Sequence, residues 1–117
     1  MELLSEMPRI FWAGDSTVKQ NDFTSYPQCG IGQGFSLFVK KEIIIVNRAE
    51  NGRSTKSFID EGRLEFIKEN IRKGDFLFIQ FGHNDEKNDP LRYTDPQTTF
   101  KENLRTFIDI ARNAGAY

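Results

Sequence analysis

Three apolar runs, IFWA at 10–13, IIIV at 43–46 and FLFIQF at 76–81, each stop abruptly in a polar, turn-rich segment: GDST at 14–17, NRAENGRS at 47–54 and GHND at 82–85. Short runs with almost no polar alternation fit strands buried on both faces, as in a parallel sheet. Pro8 ends a short lead-in over 1–8 and favours an extended approach to the first strand, at 9–13. Pro27, Gly30, Gly32 and Gly34 argue against regular structure over 19–34, which reads as a surface loop. Phe35, Leu37, Phe38 and Val39 then predict a short helix over 35–41. Helical spacing returns at Leu64, Ile67 and Ile71, with Phe66 beside them and a closing turn at Lys73-Gly74-Asp75. A last helix starts at Asp95-Pro96, a capping residue with proline at the first helical position. Its apolar positions Phe100, Leu104, Phe107, Ile108, Ala111 and Ala114 share one face, and Gly115 is a natural C-terminal cap.

Strand and helix therefore alternate three times, which predicts an α/β fold of parallel strands joined by right-handed crossovers, with helices on the faces of the sheet. A helix ending in a glycine cap usually delivers the chain to another strand, so the sheet is expected to look unfinished. The third strand, at 76–81, then becomes an exposed apolar edge, and self-association through it is expected. All three polar loops fall at the C-terminal edge of the sheet, where ligands and chemistry collect in open α/β folds.

Composition narrows the classes of function. The 117 residues have the size of one domain, and 16 basic against 17 acidic side chains give no general pull toward nucleic acid or a membrane surface. No apolar run approaches the ~18 residues that span a bilayer, and MELLSEMPR lacks the basic and apolar regions of a secretion signal, so a cytoplasmic location is expected. Cys29 is the single cysteine, which leaves no internal disulfide and no multi-cysteine metal site.

The candidate chemistry lies on the three loops. Ser16 is a turn or capping serine by itself, or a nucleophile if the neighbouring loops supply donors for a developing oxyanion. The backbone N–H of Gly52 and the side-chain amide of Asn84 are such donors. Gly52 fits equally a positive-φ turn, and Asn84 a loop residue bonded to its own backbone. Arg53 is either a two-pronged contact for a carboxylate or a solvated surface arginine. His83 is the only histidine; it can pair with Ser16 and Asp85 as a base, or pack or hydrogen-bond beneath its loop.

Together GDST, NRAENGRS and FGHNDEK resemble, in order and spacing, the first three blocks of the SGNH (GDSL-type) hydrolases. N-x-A-x-x-G-R-S followed by F-G-H-N-D is similar to the rhamnogalacturonan acetylesterases among them. The resemblance implies a three-layer α/β/α flavodoxin-like fold with a sheet in the order 2-1-3 over these strands. It implies Ser16 as nucleophile and backbone oxyanion donor, Gly52 as a second backbone donor, Asn84 as a side-chain donor, and no metal or organic cofactor. Arg53 and His83 are substrate-binding candidates and Asp15 a loop-shaping residue. The implied partner is an acetylated carbohydrate of the pectin type.

Two departures stand out. The family's catalytic histidine, oriented by an aspartate three residues earlier, has no counterpart in the sequence, and Ile31 occupies a loop that often carries tryptophan. Residues 1–117 are thus expected to be the N-terminal part of one SGNH domain, without its C-terminal strands and Asp/His block, and inactive by themselves. A non-catalytic carbohydrate-binding or interaction module on the same fold is the alternative. A phosphate or nucleotide binder has less support, because neither G-x-x-x-x-G-K nor G-x-G-x-x-G follows the first strand.

Overall fold

A computed structural model of the protein describes residues 7–117; most of the expected lead-in, at 1–6, lies outside the described residues. The sheet is parallel, with β1 (Arg9–Gly14) between β2 (Ile44–Asn47) and β3 (Phe76–Gln80), so the order is β2-β1-β3. Phe11 stands opposite Val46 on one side and Leu77 on the other. The helices are α1 (Ile31–Phe35), α2 (Thr55–Asp60), α3 (Arg63–Asn70) and α4 (Thr99–Asn113). No helix among the described residues is long and apolar enough to cross a membrane.

Because β1 is flanked on both sides, its alternating side chains fill two cores, one on each face. Phe11 and Ala13 are buried with Phe58 of α2, Leu64 and Ile67 of α3, and Phe107 and Ala111 of α4. Ile10 and Trp12 point the other way, toward Val18 and Ala49. Over that second face the rings of Trp12, Phe35 and Phe78 meet edge to face, with centroids 5.0 to 5.7 Å apart. Each such pair contributes roughly 1 kcal/mol beyond its buried area. At the opposite end from the loops, buried Asp75 ties β3 to β1. It accepts hydrogen bonds from the Arg9 backbone N–H at 2.9 Å and the Arg9 guanidinium at 2.8 Å.

Three local expectations are corrected. The short helix lies at Ile31–Phe35 rather than 35–41, and Leu37 and Phe38, read as its apolar face, are exposed in a 3-10 turn. The glycines of that segment are there for close approach. A Cβ on Gly32 would sit 2.7 Å from Asn47 Nδ2, and one on Gly30 only 2.3 Å from the Lys19 carbonyl oxygen. Helix α2 falls where no helix is predicted; Ser54 caps it, with Ser57 completing a reciprocal capping box. Helix α4 begins at Thr99, because Asp95 caps the turn before it, accepting from the N–H groups of Gln97 and Thr98.

The end of α4 follows expectation. Gly115 adopts φ +76°, its N–H donates to Arg112 and that of Ala116 donates to Ala111, which is the paired closure of a glycine-capped helix. Tyr117 then lies along the outer side of β3. Its N–H donates to the Asp75 carbonyl and its own carbonyl accepts from Leu77, both at 2.9 Å, in the parallel pattern. Among the described residues no strand pairs with β3 on this side, and an apolar groove of about 370 Å³ runs between it and α4.

The glycine contacts generate a paired prediction. Gly30→Ala is expected to lower the free energy of unfolding in urea by about 2 kcal/mol, since its Cβ meets backbone that cannot yield cheaply. Gly34→Ala, with Cys29 Sγ at an ordinary 3.8 Å, is expected to be neutral or to stabilise by up to about 1 kcal/mol.

Candidate active site

The first loop is shaped by Asp15, which is fully buried at the end of β1. Its Oδ1 accepts from the Thr17 N–H at 3.0 Å and the Thr17 hydroxyl at 2.8 Å, while its carbonyl accepts from Val18 and Lys19. This tight turn leaves Ser16 exposed at its tip, with no side-chain hydrogen bond among the described residues. Ser16 opens on a hollow of about 370 Å³ that it lines with Thr17, Asn21, Gln28 and Cys29.

The second loop is fastened to the first through the backbone. Arg48 N–H donates to the Trp12 carbonyl at 2.9 Å and Glu50 N–H to the Gly14 carbonyl at 3.2 Å. Asn47 reaches across as well, its Nδ2 donating to the Val18 carbonyl at 2.8 Å. Beyond them Gly52 holds φ +73°, a left-handed conformation that disfavours any residue with a Cβ. Arg53 is already engaged. Its Nε donates to Glu61 at 2.9 Å and its Nη1 to the Asn51 carbonyl at 2.8 Å.

In the third loop the chain turns at Gly82, and three successive side chains meet different fates. His83 points outward and is exposed, which corrects the expectation that it packs or hydrogen-bonds beneath the loop. Asn84 and Asp85 turn inward and are buried. Asp85 takes the place expected of the histidine: its carboxylate accepts from the Thr55 N–H at 2.9 Å, the Thr55 hydroxyl and the Thr94 hydroxyl at 2.8 Å. Its two oxygens are thus committed to Thr55 and Thr94, and Asp85 does not orient His83 as a catalytic pair.

Asn84 bridges the second and third loops. Its Nδ2 donates to the Arg53 carbonyl at 3.2 Å and its Oδ1 accepts from Arg92 Nη1 at 3.3 Å, which leaves one amide hydrogen free. Arg92 is the contact that sequence reasoning missed, for it lies in a segment with neither periodicity nor motif. Its Nε is held by Asp89 at 2.8 Å, and Nη1 lies 3.9 Å from where a Gly52 Cβ would be. The Leu91 N–H, and then Arg92 itself, hold the Asp89 carboxyl below its ordinary value of 3.8. The carboxylate is therefore charged through neutral and mildly acid pH, and its hold on Arg92 is lost only as pH falls through that lowered value. No group of three or more His, Cys, Asp or Glu side chains among the described residues is placed to hold a metal ion.

Comparison with known proteins finds esterases among the relatives of this chain. The chain is 45% identical to rhamnogalacturonan acetylesterase RhgT of Bacillus subtilis over 93% of its own length and 46% of that protein. It is 48% identical to the probable rhamnogalacturonan acetylesterase YesY of the same organism, over 92% of the chain and 50% of that protein. The crystal structure of YxiM from Bacillus subtilis superposes with a TM-score of 0.81 at 31% identity, over 94% of this chain and 31% of that one. The chain is similar to these esterases over nearly all of its own length and has the SGNH-type, flavodoxin-like fold over its three strands. It spans about half the length of the curated relatives it matches. No family model matches it.

The three loops of this chain are held by buried polar bonds, and that dependence is measurable. Asp85→Ala strands one N–H and two hydroxyls at once, and is expected to cost about 3 to 5 kcal/mol in urea unfolding. Thr94→Val removes one of those donors together with its need for an acceptor, and is expected to cost about 1 kcal/mol.

Proposed function

We propose that the chain carries the nucleophile and the oxyanion-binding groups of a serine esterase that removes acetyl groups from a pectin-type polysaccharide or its oligosaccharides. The observation that carries the reading is the buried Asn84 amide, fixed at both ends by Arg53 and Arg92, with one N–H unspent beside the left-handed Gly52. The names of RhgT and YesY support the substrate class.

Ser16 Oγ attacks the acetyl carbonyl carbon, and the N–H groups of Ser16 and Gly52 with the Asn84 amide receive the oxyanion. Collapse breaks the ester C–O bond and releases the sugar hydroxyl; water then frees acetate from the acetylated serine. No residue of this sequence is assigned the general base. The only histidine, His83, is exposed, and three positions before it stands Gln80 rather than an aspartate.

That gap shapes the experiment. A site with nucleophile and donors but no efficient base acylates slowly and deacylates slowly, so acetyl-Ser16 accumulates. Incubating the chain with p-nitrophenyl acetate is expected to place an acetyl group on Ser16, detected by mass spectrometry and absent in Ser16→Ala. Arg92→Ala, which frees the Asn84 amide, is expected to slow that acetylation about tenfold or more. Nitrophenolate release indifferent to Ser16→Ala, with no adduct on Ser16 in a chain shown folded by circular dichroism, overturns the serine mechanism. That outcome favours a non-catalytic carbohydrate-binding or interaction module on the same fold.

A further inference from the structure

Where β2 ends and α3 begins there is a second, smaller hollow of about 230 Å³, lined by Lys19, Gln20, Asn47, Arg48, Glu50 and Arg63. It adjoins the candidate active site through the backbone. Lys19 N–H is bonded to the Asp15 carbonyl, and Glu50, two residues before Gly52, is bonded to Gly14.

Its three cations are not equivalent. Lys19 is neutralised by Glu50 at 2.7 Å, and Arg63 Nε donates to Glu61 at 3.0 Å. Arg48 has no carboxylate partner among the described residues; its guanidinium lies over the Phe66 ring, 3.8 Å from the centroid, with Nε buried and without a hydrogen bond. A guanidinium stacked on a ring keeps its edge free, and that edge matches the two oxygens of a carboxylate. The Lys19 ammonium, through its hydrogen bond, and then the Asn51 N–H hold the Glu50 carboxyl below its ordinary value, so Glu50 is charged here and its charge is met by Lys19.

We infer that this hollow is a subsite for the carboxylate of a uronic-acid residue, with Arg48 as the pairing group and Arg63 as a second, weaker contact. The inference rests on the reading of the substrate as an acidic, pectin-type saccharide, and it adds a binding site on the β2 flank of Ser16 that the oxyanion groups do not need. Gln20, whose side chain is exposed at the rim, is available to the sugar hydroxyls.

The test is calorimetric titration of the chain with an unesterified oligogalacturonide, its methyl-esterified counterpart and inorganic phosphate. The acid oligomer is expected to bind, and to weaken about tenfold in Arg48→Gln and by a smaller factor in Arg63→Gln. The methyl ester and phosphate are expected to bind far more weakly than the acid oligomer. If Arg48→Gln does not fold, Arg48→Lys keeps the charge but not the fork and is expected to weaken binding in the same direction. Absence of binding to the folded chain, equal affinity after either Arg48 substitution, or equal affinity for the ester or for phosphate overturns the subsite. The esterase reading fails separately, through the missing acetyl adduct on Ser16, which Arg48 does not touch.

Discussion

The carboxylate of Asp85 is the constraint on which the candidate site depends. Burying it is expensive unless its lone pairs are met, and here they are met by the first N–H of α2 and by two threonine hydroxyls from different parts of the chain. Asn103 of α4 adds its own bond to the Thr55 hydroxyl at 3.1 Å, so α2, α4 and the 82–94 loop converge on one anion. Asn84 is the adjacent residue, and its amide has a defined direction because the backbone beside it cannot turn. Asp85 thus anchors the backbone under Asn84, while Arg53 and Arg92 orient the amide itself.

The same logic operates at the other two loops with different means. Asp15 closes the first turn with its own side chain and carbonyl, while the second loop is held by backbone bonds to Trp12 and Gly14 at the end of β1. Both depend on β1 being central. A strand paired on both sides and covered on both faces has its end fixed by sheet geometry, so turns built from it inherit that position. The glycines at 30 and 32 let the 19–34 segment lie directly on Val18 and Lys19, which closes the first loop from above without any side chain between.

How much of this the sequence disclosed follows from what each feature depends on. The strands were legible from apolar runs without alternation, although burial on both faces holds only for β1, since Ile44 of the edge strand β2 is exposed and in β3 only Leu77 is buried, and the cap at Gly115 was legible because its chemistry is local. Gly30 and Gly32 misled, since a glycine that breaks a helix and one that admits a close neighbour are the same letter. Helix α2 was hidden by its composition, with only Phe58 and Ile59 apolar and with Ser57 rather than a glutamate completing its cap. The roles of His83 and Asp85 exchanged because a turn at Gly82 decides which side chain faces inward, and nothing in the residue types sets the direction of that turn. Arg92 was invisible because its partners, Asp89 and Asn84, become neighbours only through the folded loop.

Three arginines show why a near-neutral chain can still have strongly local electrostatics. Arg53, attractive from its place in the motif, is held by Glu61 and the Asn51 carbonyl and has little of its fork left for a ligand. Arg92 is held by Asp89 in a pose that directs one N–H at Asn84, so its charge supports the polarity of the amide it touches. Arg48 is held by an aromatic ring, which fixes the plane of the guanidinium without consuming its donors. Summed over the chain these charges nearly cancel, yet their availability differs completely, because a carboxylate partner occupies a guanidinium and a ring does not. What a cation can recognise is therefore decided by what already holds it, and by that measure the vacant edge belongs to Arg48.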